Sequence, residues 1–215
     1  MKRFKITLLA ICLVLGFLGY QDLKTFFNNP EPRPVSIADL EQNGAPQEWL
    51  QIIDGTLDLE QAINPTGRVE TLETGPFFVP ITGQSNGPEI LVVVETWRPE
   101  VINTLKKYVL DFDTVEEQQT FLEQNKDAFH LQTEITGMTA SWLTSTANRD
   151  KLLKLAKQQN MLVDENVIFI SEGKVPGKFR GFFFSIISVL GLLKFIQLVV
   201  KKESGLAINI PGEES

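Results

Sequence analysis

Two apolar segments, one at each end of the chain, constrain its fold more than any other feature. Twenty residues lie between Arg180 and Lys201, and only Lys194 among them is charged. A bilayer has a hydrocarbon core about 30 Å thick, so roughly 20 apolar helical residues cross it. A buried helix of a soluble protein of this length normally carries a polar stripe, which this segment lacks. The sequence therefore predicts a C-terminal transmembrane helix over residues 177–202 and a short cytoplasmic tail over 203–215.

The first apolar run, residues 6–20, follows the basic sequence Met-Lys-Arg-Phe-Lys. A cleavable secretory signal begins in the same way, but it ends in small residues of the A-x-A type. This run ends in Gly-Phe-Leu-Gly-Tyr, which favours an uncleaved anchor helix over residues 1–27. The only cysteine, Cys12, lies inside the run after an isoleucine, which is a poor lipidation site. A single cysteine also excludes a disulfide within the chain and a cysteine-based zinc site.

The basic residues that flank the two spans predict the topology. Lysine and arginine near the ends of a span favour the cytoplasmic side. Such residues precede the first span and follow the second, although others crowd the opposite end of the second span at Lys174, Lys178 and Arg180. We expect a double-pass protein of the cell membrane with both termini in the cytoplasm. In a bacterium its domain would then lie in the periplasm or outside the cell.

The segment between the spans predicts an acidic domain. Residues 28–176 contain 23 Asp and Glu against 11 Lys and Arg. Nucleic-acid binding requires a basic face, so this balance argues against a nucleic-acid partner. Three prolines in residues 28–36 predict a stiff, extended linker. The domain itself is expected over residues 37–176.

Local patterns place helices and strands along this domain. A capping box at Ser36–Asp39 begins a short helix that Gly44 ends, and a second box at Asp113–Glu116 begins a helix that reaches about Lys126. A third helix, residues 148–159, has an apolar face. Strand patterns occupy residues 48–59, 68–72, 77–81, 89–97, 130–138 and 166–173, with a turn at 83–88.

This order of elements predicts an α+β fold with a small, β-rich domain and two or three helices. One arrangement is an OB-like five-strand barrel, although the helix before the last strand departs from it. The other is a generic α+β sheet. The layout, a β-rich domain between two spans, is similar to that of the surfeit-type oxidase assembly factors. The likeness lies in the layout alone and implies no site residue.

The residues that most often carry catalysis do not form a recognisable constellation in the sequence. His130 is the only histidine, and no serine lies in a G-x-S-x-G motif. Asp111, Asp113, Glu116 and Glu117 could hold a cation, but capping and the helix dipole explain acids at a helix start. We therefore predict no catalytic, cofactor-binding or metal-binding residue and no cofactor.

Small residues in the two spans form the candidate site. Gly177, Gly181 and Ser185 recur every four residues on one side of the second helix, and Gly16 and Gly19 lie in the first. Close backbone approach through small residues is a main source of attraction between helices in lipid. We expect these faces to meet, either within one chain or between copies in a homo-oligomer. The alternative is that the small residues simply reflect the composition of membrane helices.

Three functions are compatible with these features. The leading hypothesis is a non-enzymatic interaction or assembly module that contacts the bilayer and another membrane or envelope protein. A second is a binder of a small molecule or lipid in the mouth of a barrel. A third is an enzyme that uses carboxylates or a bound cation.

Overall fold

A computed structural model of the chain describes residues 2–64, 75–83, 89–139, 142–158 and 161–204. Its contacts divide into two compact units, one formed by the terminal helices and the other by Glu31–Val175. The strand expected over 68–72 and most of the turn expected over 83–88 lie outside the described residues.

The described residues contain seven α-helices and eight β-strands. The helices are α1 (Lys2–Asn28), α2 (Ile37–Asn43), α3 (Pro99–Leu110), α4 (Val115–Gln124), α5 (Lys126–Phe129), α6 (Trp142–Gln158) and α7 (Lys178–Ser204). The strands are β1 (Arg33–Val35), β2 (Trp49–Ile52), β3 (Thr56–Asp58), β4 (Phe77–Thr82), β5 (Ile90–Thr96), β6 (His130–Gln132), β7 (Ile135–Thr139) and β8 (Val163–Glu172). The prediction of an α+β fold with a long apolar helix at each end is confirmed.

The strands form one mixed sheet that curls into a half-barrel, in the order β1-β2-β7-β8-β5-β4-β3-β6. The β1–β2 and β5–β8 pairs are parallel, and the other neighbours are antiparallel. The five-strand barrel is therefore not the arrangement found. The prediction of a barrel was wrong for two reasons. Two segments predicted as single strands are each divided into two strands, and part of the predicted linker pairs with β2 as β1.

The first divided segment, residues 48–59, turns at Gly55. A Cβ atom at this position would overlap the side chain of Ile81 on β4, so only glycine lets the chain pass so closely. The second divided segment gives β6 and β7, which lie at distant places in the sheet. β6 pairs with β3 at one edge, whereas β7 lies between β2 and β8.

Each face of the sheet carries a hydrophobic core. The larger core lies on the face covered by α2, α3 and α5, and at its centre Phe129 is fully buried with its ring against Tyr108 and Phe121. The smaller core lies where α6 packs Leu152 and Ala156 against the opposite face. Burying one such large apolar side chain stabilises the fold by roughly 1.5–3 kcal/mol.

Local capping explains where the short helices begin and end. Ser36 accepts a hydrogen bond from the amide of Asp39 at 3.1 Å, and Gly44 follows α2 with a φ of 74°, as the sequence predicts. The second capping box is shifted by one residue from the prediction. Thr114, not Asp113, accepts from the amide of Glu117, and α4 ends at Gln124 before the separate turn of α5.

Candidate functional site

The candidate site is the interface between the two terminal helices, α1 and α7, which form one compact unit. Phe4–Asn28 and Lys178–Val200 are each long and apolar enough to cross a bilayer, which makes them candidate membrane helices. They pack against each other in antiparallel fashion, since Lys5 lies beside Leu198 and Asp22 lies beside Arg180. The basic residues at the start of α1 and those at the end of α7 therefore lie at one end of the pair, and Lys178 and Arg180 lie at the other.

Small residues line the centre of this helix-helix interface. A Cβ atom at Gly19 would lie 2.5 Å from Ser185 Oγ, 2.8 Å from the backbone nitrogen of Ser185 and 3.0 Å from the carbonyl oxygen of Gly181. A Cβ atom at Gly16 would lie 2.8 Å from Ser188 Oγ. The backbones thus approach at a distance that a larger residue at position 19 would not permit.

Gly181 and Gly177 lie toward the end of the interface where Asp22 of α1 is located. A Cβ atom at Gly181 would be 3.0 Å from Asp22 Cβ and 3.1 Å from the side chain of Leu23. At Gly177 the nearest atom would be Asp22 Cγ at 3.5 Å, which is an ordinary contact. Gly177 therefore tolerates a methyl group, whereas Gly19 and Gly181 are tightly enclosed.

Polar contacts reinforce the interface at three levels. Near the middle, the buried hydroxyl of Ser188 donates to the carbonyl oxygen of Cys12 at 2.8 Å. At one end, the guanidinium of Arg180 donates two hydrogen bonds to the carboxylate of Asp22, at 2.6 and 2.7 Å. At the other end, Lys5 Nζ donates to the carbonyl oxygen of Leu198 at 2.5 Å. A two-point guanidinium–carboxylate contact is geometrically specific and fixes the register of the helices.

The Asp22–Arg180 pair and the contact of Gly191 with Cys12 were not predicted from the sequence. The available signal for the first was a lone acid near the end of one apolar run and an arginine at the start of the other. Gly191 continues the row of small residues on α7, three positions after Ser188. A Cβ atom at Gly191 would overlap the sulfur of Cys12 and lie 3.9 Å from its Cβ.

Within Glu31–Val175, a polar network lies where β5 and β8 end. Arg98 precedes α3, and its Nε donates to Glu172 Oε1 at 2.6 Å, while Nη1 donates to Thr133 Oγ1 at 2.9 Å. Thr96 Oγ1 donates to the second oxygen of Glu172 at 2.5 Å. The side chain of Glu172 is only 11% exposed, and these donors supply the hydrogen bonds that its carboxylate oxygens would otherwise accept from water. The network joins β5, β8 and the β6–β7 connection and has a structural role.

The acidic cluster, Asp111, Asp113, Glu116 and Glu117, lies at the surface between α3 and α4. Among the described residues, no three His, Cys, Asp or Glu side chains come together as a metal site. A shallow groove of about 290 Å³ runs along α4 beside this cluster, lined by Phe112, Glu116, Glu117, Thr120, Phe121 and Gln124. The groove combines aromatic surface with negative charge.

His130, the only histidine of the sequence, is more than half exposed on β6. Its Nδ1 lies 3.8 Å from Oε1 of Glu60.

Comparison of the chain with family models, with curated proteins and with solved structures gave no match.

Proposed function

We propose that the chain is a two-span membrane protein whose Glu31–Val175 domain is a non-enzymatic interaction module outside the cytoplasm. The antiparallel packing of α1 and α7 is the observation that carries this proposal. It places Lys5 and the C-terminal end of α7 together, so the basic start of α1 and the basic end of α7 meet the same membrane surface. By the positive-inside rule that surface is cytoplasmic, and the domain lies on the opposite side.

The groove along α4 is the surface that we propose for the partner. Val109 and Leu110 at the end of α3 and Val115 at the start of α4 flank its Phe112 in the sequence and are exposed, at 41, 47 and 72%. A group of exposed apolar side chains on a soluble face is typical of an interaction site. The four carboxylates of the acidic cluster make no ion pair within the described part of the chain. A partner segment with basic residues around an apolar anchor would complement both properties.

A single-cysteine labelling experiment tests the topology. In a Cys12→Ala background, a cysteine in place of the highly exposed Val115 should react with a membrane-impermeant maleimide in intact cells. An outer membrane, where there is one, is first permeabilised. A cysteine at Leu193, inside α7 and 53% exposed, is the unreactive control. Labelling of position 115 only after lysis would show that the domain is cytoplasmic.

A second experiment tests the interaction surface. A photocrosslinking amino acid at Val115 should give a discrete adduct in cells, whereas the same group at Leu162, 62% exposed in the strand connection before β8, should not. Reversing the charge of the rim with Glu116→Lys and Glu117→Lys should abolish the adduct. Equal adducts at both positions, or an adduct indifferent to charge reversal, would remove the groove as the contact surface.

A further inference from the structure

Lys194, the charged residue inside the second candidate span, has no protein partner in the described part of the chain. Lys194 lies on an exposed side of α7. No described residue forms an ion pair or a hydrogen bond with its ammonium group. A charged residue inside a membrane span is costly and is retained where it reaches a counter-charge or the headgroup layer.

A second lysine marks the same end of the helix pair. Lys5 of α1 reaches across to the carbonyl oxygen of Leu198, one helical turn beyond Lys194 on the same face of α7. That bond uses one of its three N–H donors and leaves two for another acceptor. Lys5 therefore lies in the seam between the helices, and the flexible stem of Lys194 can carry its ammonium group toward the same level.

The charge at this end is predominantly positive. Residues 1–5 and 194–204 contain six Lys and Arg and one acid, Glu203. Lys194 lies about 10 Å from Lys201 along the helix, at 1.5 Å per residue, and thus well below the helix end. The ligand that fits is an anion that enters from the surface of the bilayer. The phosphate of an anionic phospholipid is negatively charged and lies in the headgroup layer, which the stem of Lys194 can reach. Basic sites between membrane helices bind such headgroups.

We propose that Lys5 and Lys194 bind the phosphate of an anionic phospholipid in the cytoplasmic leaflet. Lys5 holds the phosphate at the seam, and Lys194 contacts it from the flank of α7. The acyl chains then run toward the bilayer centre along the exposed apolar side chains of Leu190 and Ile187, four and seven residues before Lys194 on the same side of α7. This inference rests on the proposed function in one respect, namely that α1 and α7 cross a membrane.

Native mass spectrometry of the full-length chain tests the site, with phosphatidylglycerol and phosphatidylcholine supplied in equal amounts in detergent micelles. The wild-type chain should retain phosphatidylglycerol in preference. Lys194→Leu should lower that preference about fivefold, since one basic residue near a membrane surface contributes about 1 kcal/mol. Lys194→Arg should preserve it. Lys178→Leu, the same change of charge at the opposite end of the pair, should leave it unchanged.

Three outcomes would overturn the proposal: no preference for phosphatidylglycerol in the wild-type chain, an equal loss in Lys194→Leu and Lys178→Leu, or an unchanged preference in Lys194→Leu. Extraction of the wild-type chain from membranes by alkaline carbonate would show that the helices do not span, which is a failure of the proposed function and not of the lipid site alone.

Discussion

Gly19→Ala should weaken the pairing of α1 and α7, whereas Gly177→Ala should not. The added methyl group at position 19 would lie 2.8 Å from a backbone nitrogen and 3.0 Å from a backbone oxygen of α7, neither of which can rotate away. At position 177 the nearest atom is 3.5 Å away, so the methyl group fits without any movement. Both substitutions add one methyl group, at position 19 inside α1 and at position 177 just before α7, and the space available for that group differs between them.

The size of the effect follows from two opposing terms. Overpacking of a close contact costs about 1–3 kcal/mol, because the helices must separate locally. Alanine also favours the helix over glycine by up to about 1 kcal/mol, which offsets part of that cost. Because the contacts at Gly19 include backbone atoms of α7, the overpacking cost lies in the upper part of its range, at about 2–3 kcal/mol. The net loss is then about 1–2 kcal/mol, which corresponds to a factor of about 5–30 in the pairing equilibrium.

A single additional substitution provides the assay. In Gly191→Cys the new Cβ lies 3.9 Å from the Cβ of native Cys12, within the range that a disulfide requires. Oxidation in membranes should join the two helices, and the loss of reactivity toward a maleimide measures the reaction. Leu190→Cys, 60% exposed on another side of α7, should not crosslink and serves as the control.

The measurement is made in SDS, at the mole fraction where the Gly191→Cys parent crosslinks at half its maximal rate. Because half of the parent is then unpaired, the expected loss for Gly19→Ala converts to a rate about 3- to 15-fold lower. Gly177→Ala should match the parent. Equal rates for all three chains would refute the reasoning from close packing, and so would an equal decrease for both alanine variants.

Three further perturbations have definite expectations. Gly181→Leu with Ser185→Leu should lower crosslinking in the same assay while membrane insertion stays unchanged, because both side chains would fill the space occupied by α1; unchanged crosslinking would contradict this. Arg98→Met should lower the free energy of unfolding of the domain by about 2–4 kcal/mol, because it leaves the mostly buried carboxylate of Glu172 without the guanidinium of Arg98. Denaturant titration followed by tryptophan fluorescence measures this loss. A loss under about 0.5 kcal/mol would mean that water replaces the guanidinium. Phe129→Ala should cost about 3–5 kcal/mol in the same titration, as expected for a fully buried phenylalanine, and a loss near 1 kcal/mol would show that the core around it can collapse.

Elements with local signals could be predicted from the sequence. The cap at Ser36, the glycine after α2 and the buried strand β5 each depend on residues within a few positions of one another. The apolar face of α6, with Leu152 and Ala156, is likewise written in a regular spacing. The two terminal helices follow from composition alone, because few soluble folds accommodate twenty nearly uncharged residues.

The strand order could not be predicted, because it is decided by contacts between distant segments. Residues 130–138 alternate as one strand would, yet His130 pairs with Asp58 and Met138 pairs with Trp49 and Ser171. No local pattern reveals that separation. The polar contacts of the helix pair escaped for a related reason, since Asp22 and Arg180 acquire their meaning only when the two ends of the chain meet.

The position of β8 has a consequence for the order in which the protein can be completed. This strand lies inside the sheet between β5 and β7, yet it is the last strand along the chain. A nascent chain is made from its N-terminus, so β5 and β7 exist before the strand that joins them. Until residues 163–172 arrive, both present unpaired backbone edges of the kind that recruit other chains. The domain cannot close until just before α7 is synthesised, so its maturation and its second membrane insertion fall in the same interval.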